Sequence, residues 1–346
     1  MCLWFLITAE LLQIPIMAWL KTTLALLLLT SSACLGQECR PGDNCKAPDC
    51  RCWDDSSIPG GLDAADTPQQ VLISFDYGVN TANYELYTNL FKGLKNPNGC
   101  EPKGTFFVSK TNTEFGLVKQ LSDAGHEIGM TTPDGLIPQD QDQWQAAFRE
   151  MKAELVGAGI PEAQIQGSRG PELYAGGNDQ FGAISDVGLG YDSTCVSIEY
   201  RSKENLKWPY TYDFVEGTPD CTIGKAPTQS FPGKWQFLVA DIEYKGQKCA
   251  SPSACSPLIQ TSQDAFDMLY EAFGDHFGGK RTPYLLYLNP QWLTIPHQRE
   301  GTRQFLDFLM SSFDDTWILT TQQSLAWMKE PVSSGNTTDF NPWACV

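Results

Sequence analysis

VLISFDYGVN, residues 71–80, runs from five mostly apolar, β-branched-rich positions into an abrupt polar turn at Asp76, Tyr77 and Gly78. A short apolar run bounded by turn residues reads as a strand buried on both faces, the kind found in parallel sheets. Similar runs recur at 105–108, 127–130, more weakly 164–168, near Tyr191, and at 235–240, 284–288 and 317–320. Helix-period stretches lie between them, clearest at 144–156, 262–273 and 299–311. Strands alternating with helices imply parallel pairing through crossover connections. No linker, composition shift or fixed-period repeat divides this body. The expected fold is therefore α/β, a (β/α) barrel of seven or eight parallel strands over residues 69–330. A Cys-rich arm at 37–68 precedes it and a tail at 331–346, tied by Cys345, follows.

The 346 residues are 42% hydrophobic and 12% aromatic, enough apolar material for a large core. Lys and Arg number 24 and Asp and Glu 41, a net charge of −17. Such a field repels phosphate backbones and anionic headgroups, so no nucleic-acid partner is expected.

Residues 1–36 hold two apolar stretches broken by Glu10 and Lys21, the second ending in a leucine core and small residues near Gly36. That is the pattern of a cleaved secretory leader, with Met17 alone able to begin a complete one. The leucine core is too short to span a bilayer, so a secreted, extracellular protein with no membrane attachment after cleavage is expected. Ten cysteines follow the leader, and an even count in an exported chain reads as disulfides. Cys39, Cys45, Cys50 and Cys52 lie in a Pro/Gly/Asp-rich segment, the mark of a stapled arm. With no Cys-x-x-Cys pair and no neighbouring His, a zinc knuckle is the weaker reading there. Cys249 and Cys255 bracket one short loop and are expected to pair locally, while the remaining connectivity stays open. Asn336-Thr337-Thr338 is a glycosylation acceptor.

In barrels of this kind the chemistry sits on loops at the C-terminal strand ends. Those loops carry Asp76 and Tyr77, residues 131–135, Arg169, Asp192, Asp241 with Glu243, and residues 289–292. One Arg, several carboxylates and many rings make up a carbohydrate-type site, and paired carboxylates leave glycoside hydrolysis open. No Gly-x-Ser-x-Gly elbow supports a serine hydrolase.

ISFDYGVN (73–80), NPNGC (96–100), GTFFVS (104–109), GHEIGM (125–130), RGPELYAGGNDQF (169–181), YDST (191–194), WPYT (208–211), SFPGKW (230–235) and PYLLYLNPQWL (283–293) together resemble arthropod chitin deacetylases. These belong to the polysaccharide deacetylase, or NodB-homology, family (carbohydrate esterase family 4). The resemblance runs in order from residue 50 to residue 328 and implies that family's distorted (β/α) barrel, in its short, catalytic-domain-only form associated with the gut lining. It also implies removal of acetyl from N-acetylglucosamine units by a divalent metal, usually zinc, held by an Asp and two His. Asp76 stands at the catalytic base and Arg169 at the residue that orients it. The three ligand positions hold Tyr77, Thr131 and Gly135, and Asn289 stands where the family places the general-acid His.

A metal-bound water has a pKa near 7 against about 15.7 for bulk water, so losing the ligands removes most of the drive for hydrolysis. Of three His, none has the setting of a ligand: His126 lies in the shared GHEI string, His276 in a helix tail and His297 after Pro296. Asp76, Asp192, Asp241 and Glu243 are the alternative set, an oxygen site for Ca²⁺ or Mg²⁺, with separate ion pairs such as Asp76 with Arg169 the stronger expectation. No cofactor is expected, in contrast to zinc in active relatives. The sequence therefore points to a chitin deacetylase-like protein that binds chitin or a related N-acetylglucosamine polymer with its catalysis lapsed. Tyr77, Tyr174, Trp208, Tyr210 and Trp292 are the rings expected to stack on sugars, and Trp235 is expected to be core. Residual deacetylation through Asp76 and Arg169 is the competing reading, and a lectin role unrelated to chitin a third.

Overall fold

The computed structural model describes residues 38–197 and 205–345. The expected leader, residues 1–36, falls outside them. From Cys39 onward the chain builds one compact unit around a nine-stranded sheet. Its strands are β1 (Gln69–Tyr77), β2 (Thr105–Val108), β3 (Glu127–Met130), β4 (Gly167–Ser168), β5 (Tyr191–Asp192), β6 (Tyr210–Tyr212), β7 (Phe231–Gln236), β8 (Tyr284–Tyr287) and β9 (Thr316–Leu319). All are parallel except β6, which runs antiparallel to β7, so eight parallel strands form a distorted (β/α) barrel. The ladder runs β8-β1-β2-β3-β4-β5-β7-β6. Val239–Ala240, continuing from β7, packs against β8 and completes the ring without a ladder.

β1 organises the rest. Val71 and Leu72 pair with β8 on one edge and with β9 on the other, and from Ser74 onward that second edge passes to β2. Side chains alternate across a strand, and here each set has its own core. Val71, Ile73 and Phe75 face outward to the helical layer. Leu72, with Phe107 and Tyr191, fills the lumen, and Ser74 and Asp76 continue that inner face. This two-sided burial is why the strand reads as a continuous apolar run.

The outer layer comprises α1 (Tyr84–Phe91), α2 (Phe115–Asp123), α3 (Gln141–Gly157), α4 (Gly177–Val187), α5 (Ser262–Phe277), α6 (Pro290–Thr294), α7 (Pro296–Ser312) and α8 (Thr321–Lys329). Their starts are chemically marked. Asp140 accepts from Gln143 N ahead of α3, and Thr261 with Asp264 and Thr320 with Gln323 form capping boxes at α5 and α8. Gly301 lets α7 lie on the start of α5, because a Cβ there would stand 2.2 Å from the Ser262 carbonyl oxygen.

Five disulfides hold the periphery. Cys39–Cys52 and Cys45–Cys50 staple the arm, and Cys249–Cys255 closes its short loop. Cys195–Cys221 and Cys100–Cys345, like the two pairs in the arm, are ones that spacing left open. The arm joins the barrel where Thr211 N donates to the Arg51 carbonyl at 2.9 Å. The last disulfide closes a loop of 245 residues and is backed by Asn98 Nδ2 donating to the Trp343 carbonyl at 2.7 Å. Cys345→Ser is expected to cost about 2–5 kcal/mol, the usual range for a native bridge. Urea denaturation reads this directly, and an unchanged midpoint would show that the tail is held without its bridge.

Candidate functional site

The inner face of β1 ends at Asp76, on the C-terminal rim where barrels carry their chemistry. Arg169 enters the lumen directly after β4 and is 1% exposed. Its guanidinium is engaged all round. Nη1 donates to Asp76 Oδ1 and Ser74 Oγ, both at 2.9 Å, Nε to the Ser193 carbonyl at 2.7 Å, and Nη2 to Ser193 Oγ at 2.9 Å. The ring centroids of Phe107 and Tyr287 lie 4.2 and 5.2 Å from its central carbon. Burial pushes the Asp76 carboxyl above its ordinary value, and the charge and hydrogen bond of Arg169 oppose that shift, helped by the Tyr287 hydroxyl. The structure thus brings together Asp76 and Arg169, the two residues the resemblance pairs.

Tyr77, the next residue, has φ 74°, in the left-handed region that costs a bulky residue about 1–3 kcal/mol. Its hydroxyl donates to Glu172 Oε1 at 2.8 Å and accepts from Glu172 N at 2.9 Å. Glu172 and Leu173 themselves have φ 54° and 59°. Burial raises the Tyr77 phenol above its ordinary value, so it stays neutral. On the other side of the ring is Gly135, at φ 75°, where a Cβ would lie 3.6 Å from the ring. Tyr77 therefore spans the space between the Arg169–Leu173 turn and the loop after β3, and any larger side chain at 135 would meet it.

Thr131 directly follows β3 and keeps the parity of Glu127, which bonds to Tyr191 inside the barrel. Its hydroxyl is buried without a partner. Asn289 caps α6, its Oδ1 accepting from Gln291 N at 2.8 Å. The donors at the three ligand positions are thus a doubly bonded neutral phenol, one hydroxyl and no side chain. Zinc takes thiolate, imidazole or carboxylate, so these residues do not fit it.

The other proposed ligands do not assemble. Asp192 is saturated by Ser168 Oγ, Gln180 Nε2, Thr194 N and Thr194 Oγ1. Asp241 is buried just before the strand Ile242–Tyr244, and Glu243 is exposed within it. Among the described residues, a group of three candidate ligand side chains occurs at Cys39, Cys45 and Cys52, all in disulfides. Among the described residues the four carboxylates form no group, and Asp76 is paired with Arg169. The three His are also apart. His126 Nδ1 accepts from Gly104 N, His276 Nδ1 lies 2.9 Å from Thr282 Oγ1, and His297 Nε2 lies 3.2 Å from the Ile259 carbonyl oxygen.

Of the expected stacking rings, Tyr77 and Tyr174 are partly exposed at the rim. Trp208, Tyr210 and Trp292 present no face to a polymer, being 2%, 1% and 1% exposed. Trp208 stacks on Trp327, Tyr210 packs edge-on to Tyr212, and Trp292 Nε1 donates to Thr302 Oγ1 at 2.8 Å. Trp235 is core, as expected. Sequence reasoning missed Ser74, Ser193, Glu172 and Tyr287. Ser74 was the accessible signal, two residues before Asp76 on the same strand face.

A parallel barrel with a buried Arg–Asp pair at its rim is the frame of a polysaccharide deacetylase. The chain is 31% identical over 323 residues to Chitin deacetylase 8 of Bombyx mori, covering 88% of this chain and 83% of that protein. It is 30% identical over 322 residues to Chitin deacetylase 1 of Bombyx mori, covering 86% of this chain and 58% of that one. It belongs to the chitin deacetylase family. No protein-family model matches the chain. Among solved structures the fold is similar to a Mycobacterium smegmatis protein described as a polysaccharide deacetylase, with TM-score 0.56 at 16% identity, covering 79% of this chain and 93% of that one. A Pseudomonas aeruginosa protein of the same description gives 0.53 at 14%, covering 76% and 91%.

Two outcomes follow from this geometry. Arg169→Met is expected to cost about 3–5 kcal/mol by stranding the buried Asp76 carboxylate, and Asp76→Asn added to it should recover part of that loss in urea denaturation. No recovery would mean the cost is lost packing. Burial also lowers His276 to about 4 and, with Lys103 adding to it, His126 to about 3. The unfolded chain protonates these first, near pH 6.5, so their contribution is present above that pH and lost below it, by about 1.4 kcal/mol per unit for each His. The stability difference between the chain and His276→Gln should therefore shrink from pH 7 to pH 4.5, and a constant difference would contradict neutral burial.

Proposed function

We propose that this chain is a secreted chitin deacetylase-like protein that binds chitin or a related N-acetylglucosamine polymer and no longer deacetylates it. The observation that carries the reading is Tyr77, whose ring fills the space beside Gly135 and whose hydroxyl is committed to Glu172. With no metal-binding donor set, Asp76 would face bulk-like water of pKa about 15.7. Asn289 has no proton to give a leaving amine, and its Oδ1 is occupied as a helix cap. A rim that keeps its shape but lacks these groups can still hold a sugar chain. Tyr77, Tyr174 and the 67% exposed Leu136 offer apolar surface, with Glu172 and Gln291 as exposed polar neighbours. A net charge of −17 does not oppose a neutral polymer.

Secretion is supported by the leader pattern and by five disulfides, which persist in oxidising compartments. No helix among the described residues is long and apolar enough to cross a membrane. On this reading the mature chain is the stapled arm, the barrel and the tail, with exposed Asn336 accessible for a glycan.

The competing reading, residual deacetylation, draws on the intact Asp76–Arg169 pair. One experiment separates the two: acetate release from chitin oligomers, with elemental analysis and oligomer binding on the same sample. The expected result is no acetate, no stoichiometric metal, and saturable binding that Tyr77→Ala weakens about tenfold, the loss of one stacking contact. Acetate above background with bound metal would overturn the proposal, as would absence of oligomer binding.

A further inference from the structure

We infer that the cavity at the N-terminal end of the barrel, remote from Asp76, is a binding site for a single neutral acetamido sugar. The cavity has a volume of about 400 Å³, within the range of small-molecule pockets, and lies between the start of β3, the chain before β4 and the first turns of α8. Its lining includes Ser122, His126, Ile128, Gln164, Gln322 and Ala326. β3 separates it from the rim, since Glu127 opens that strand at the cavity and Thr131 follows its far end.

His126 points to a ligand. Its Nδ1 accepts from Gly104 N at 3.0 Å, which fixes the ring proton on Nε2. The ring packs against Phe91 and Phe106, with centroids 5.2 and 5.4 Å away. The Nε2–H edge is left, with no protein partner among the described residues, on a side chain only 7% exposed. Nε2 is not among the side-chain atoms shut off from solvent, so water can reach it from the cavity and a ligand acceptor would take that water's place. Glu127 does not serve, because its oxygens already accept from the Tyr191 hydroxyl, Gln322 N, Gln322 Nε2 and Thr105 Oγ1.

The remaining wall defines the ligand's chemistry. Gln322 spends its Nε2 on Glu127 and on the Gln164 carbonyl, leaving Oε1 as an acceptor. Ile128 and Ala326 add apolar surface, and no Lys or Arg lines the cavity to attract an anion. A carbonyl for His126 Nε2–H, an N–H for Gln322 Oε1 and a methyl for the apolar side occur together in an acetamido group. The choice of a sugar to carry that group rests on the function proposed above; the cavity and its unpartnered donor do not.

The test is ligand-observed NMR on the intact chain with N-acetylglucosamine as the probe and glucose as control. A saturable signal is expected, with glucose at least about tenfold weaker. Ala326→Phe, which fills the cavity, and His126→Phe, which keeps the ring but removes the donor, should each abolish it. Tyr77→Ala should leave it unchanged while weakening oligomer binding at the rim, so failure of the polymer reading and failure of this one are separable. A signal that survives Ala326→Phe, a glucose signal of equal strength, or no saturable signal would each overturn the inference.

Discussion

The structure turns on a guanidinium with almost no access to water. A cation placed in a barrel lumen is tolerable only if its N–H groups are matched and a counter-charge lies within reach. Arg169 obtains this from three strands and one loop: Ser74 and Asp76 from β1, the rings of Phe107 and Tyr287 from β2 and β8, and Ser193 from the loop after β5. Because the donors of a guanidinium form a rigid planar fork, those strands are held at fixed relative heights. Asp76 is thereby a structural partner whatever its chemistry.

Around that fixed point the rim has been rebuilt as a coupled set. Tyr77 accepts a left-handed backbone because its hydroxyl makes two bonds to Glu172, itself left-handed. Gly135 leaves the ring its room. The two positions are coupled: a Cβ at 135 would touch the ring at 3.6 Å on a left-handed backbone, and a smaller side chain at 77 would leave Glu172 N without its acceptor. The rim is a self-consistent packing solution and not a metal site with missing parts.

Much of this was legible in the sequence, for identifiable reasons. The runs at 105–108 and 127–130 match β2 and β3 because both faces of those strands are buried, so every residue reports its burial. β4 and β5 were weak signals because they are two residues long, held where Gly167 allows Tyr191 to approach; a Cβ there would meet the ring hydroxyl at 2.2 Å. β6 was not legible, since a three-residue YTY run on an antiparallel edge has no local signature. At the site, Asp76, Tyr77, Gly135 and Arg169 were readable from motif order. The rings were not, because whether Trp208 faces sugar or core is decided by Trp327, more than a hundred residues later in the chain.

The bridge between Cys100 and Cys345 sets a schedule for the chain's synthesis. Cys45–Cys50 and Cys249–Cys255 can close as soon as their few intervening residues emerge. Cys100 must wait for 245 further residues, roughly 12–50 s at ordinary translation rates. During that wait its thiol is open to exchange with Cys195, Cys221, Cys249 and Cys255 as each appears. The bridge therefore closes only after every strand of the barrel has been made, the last of them ending at Leu319.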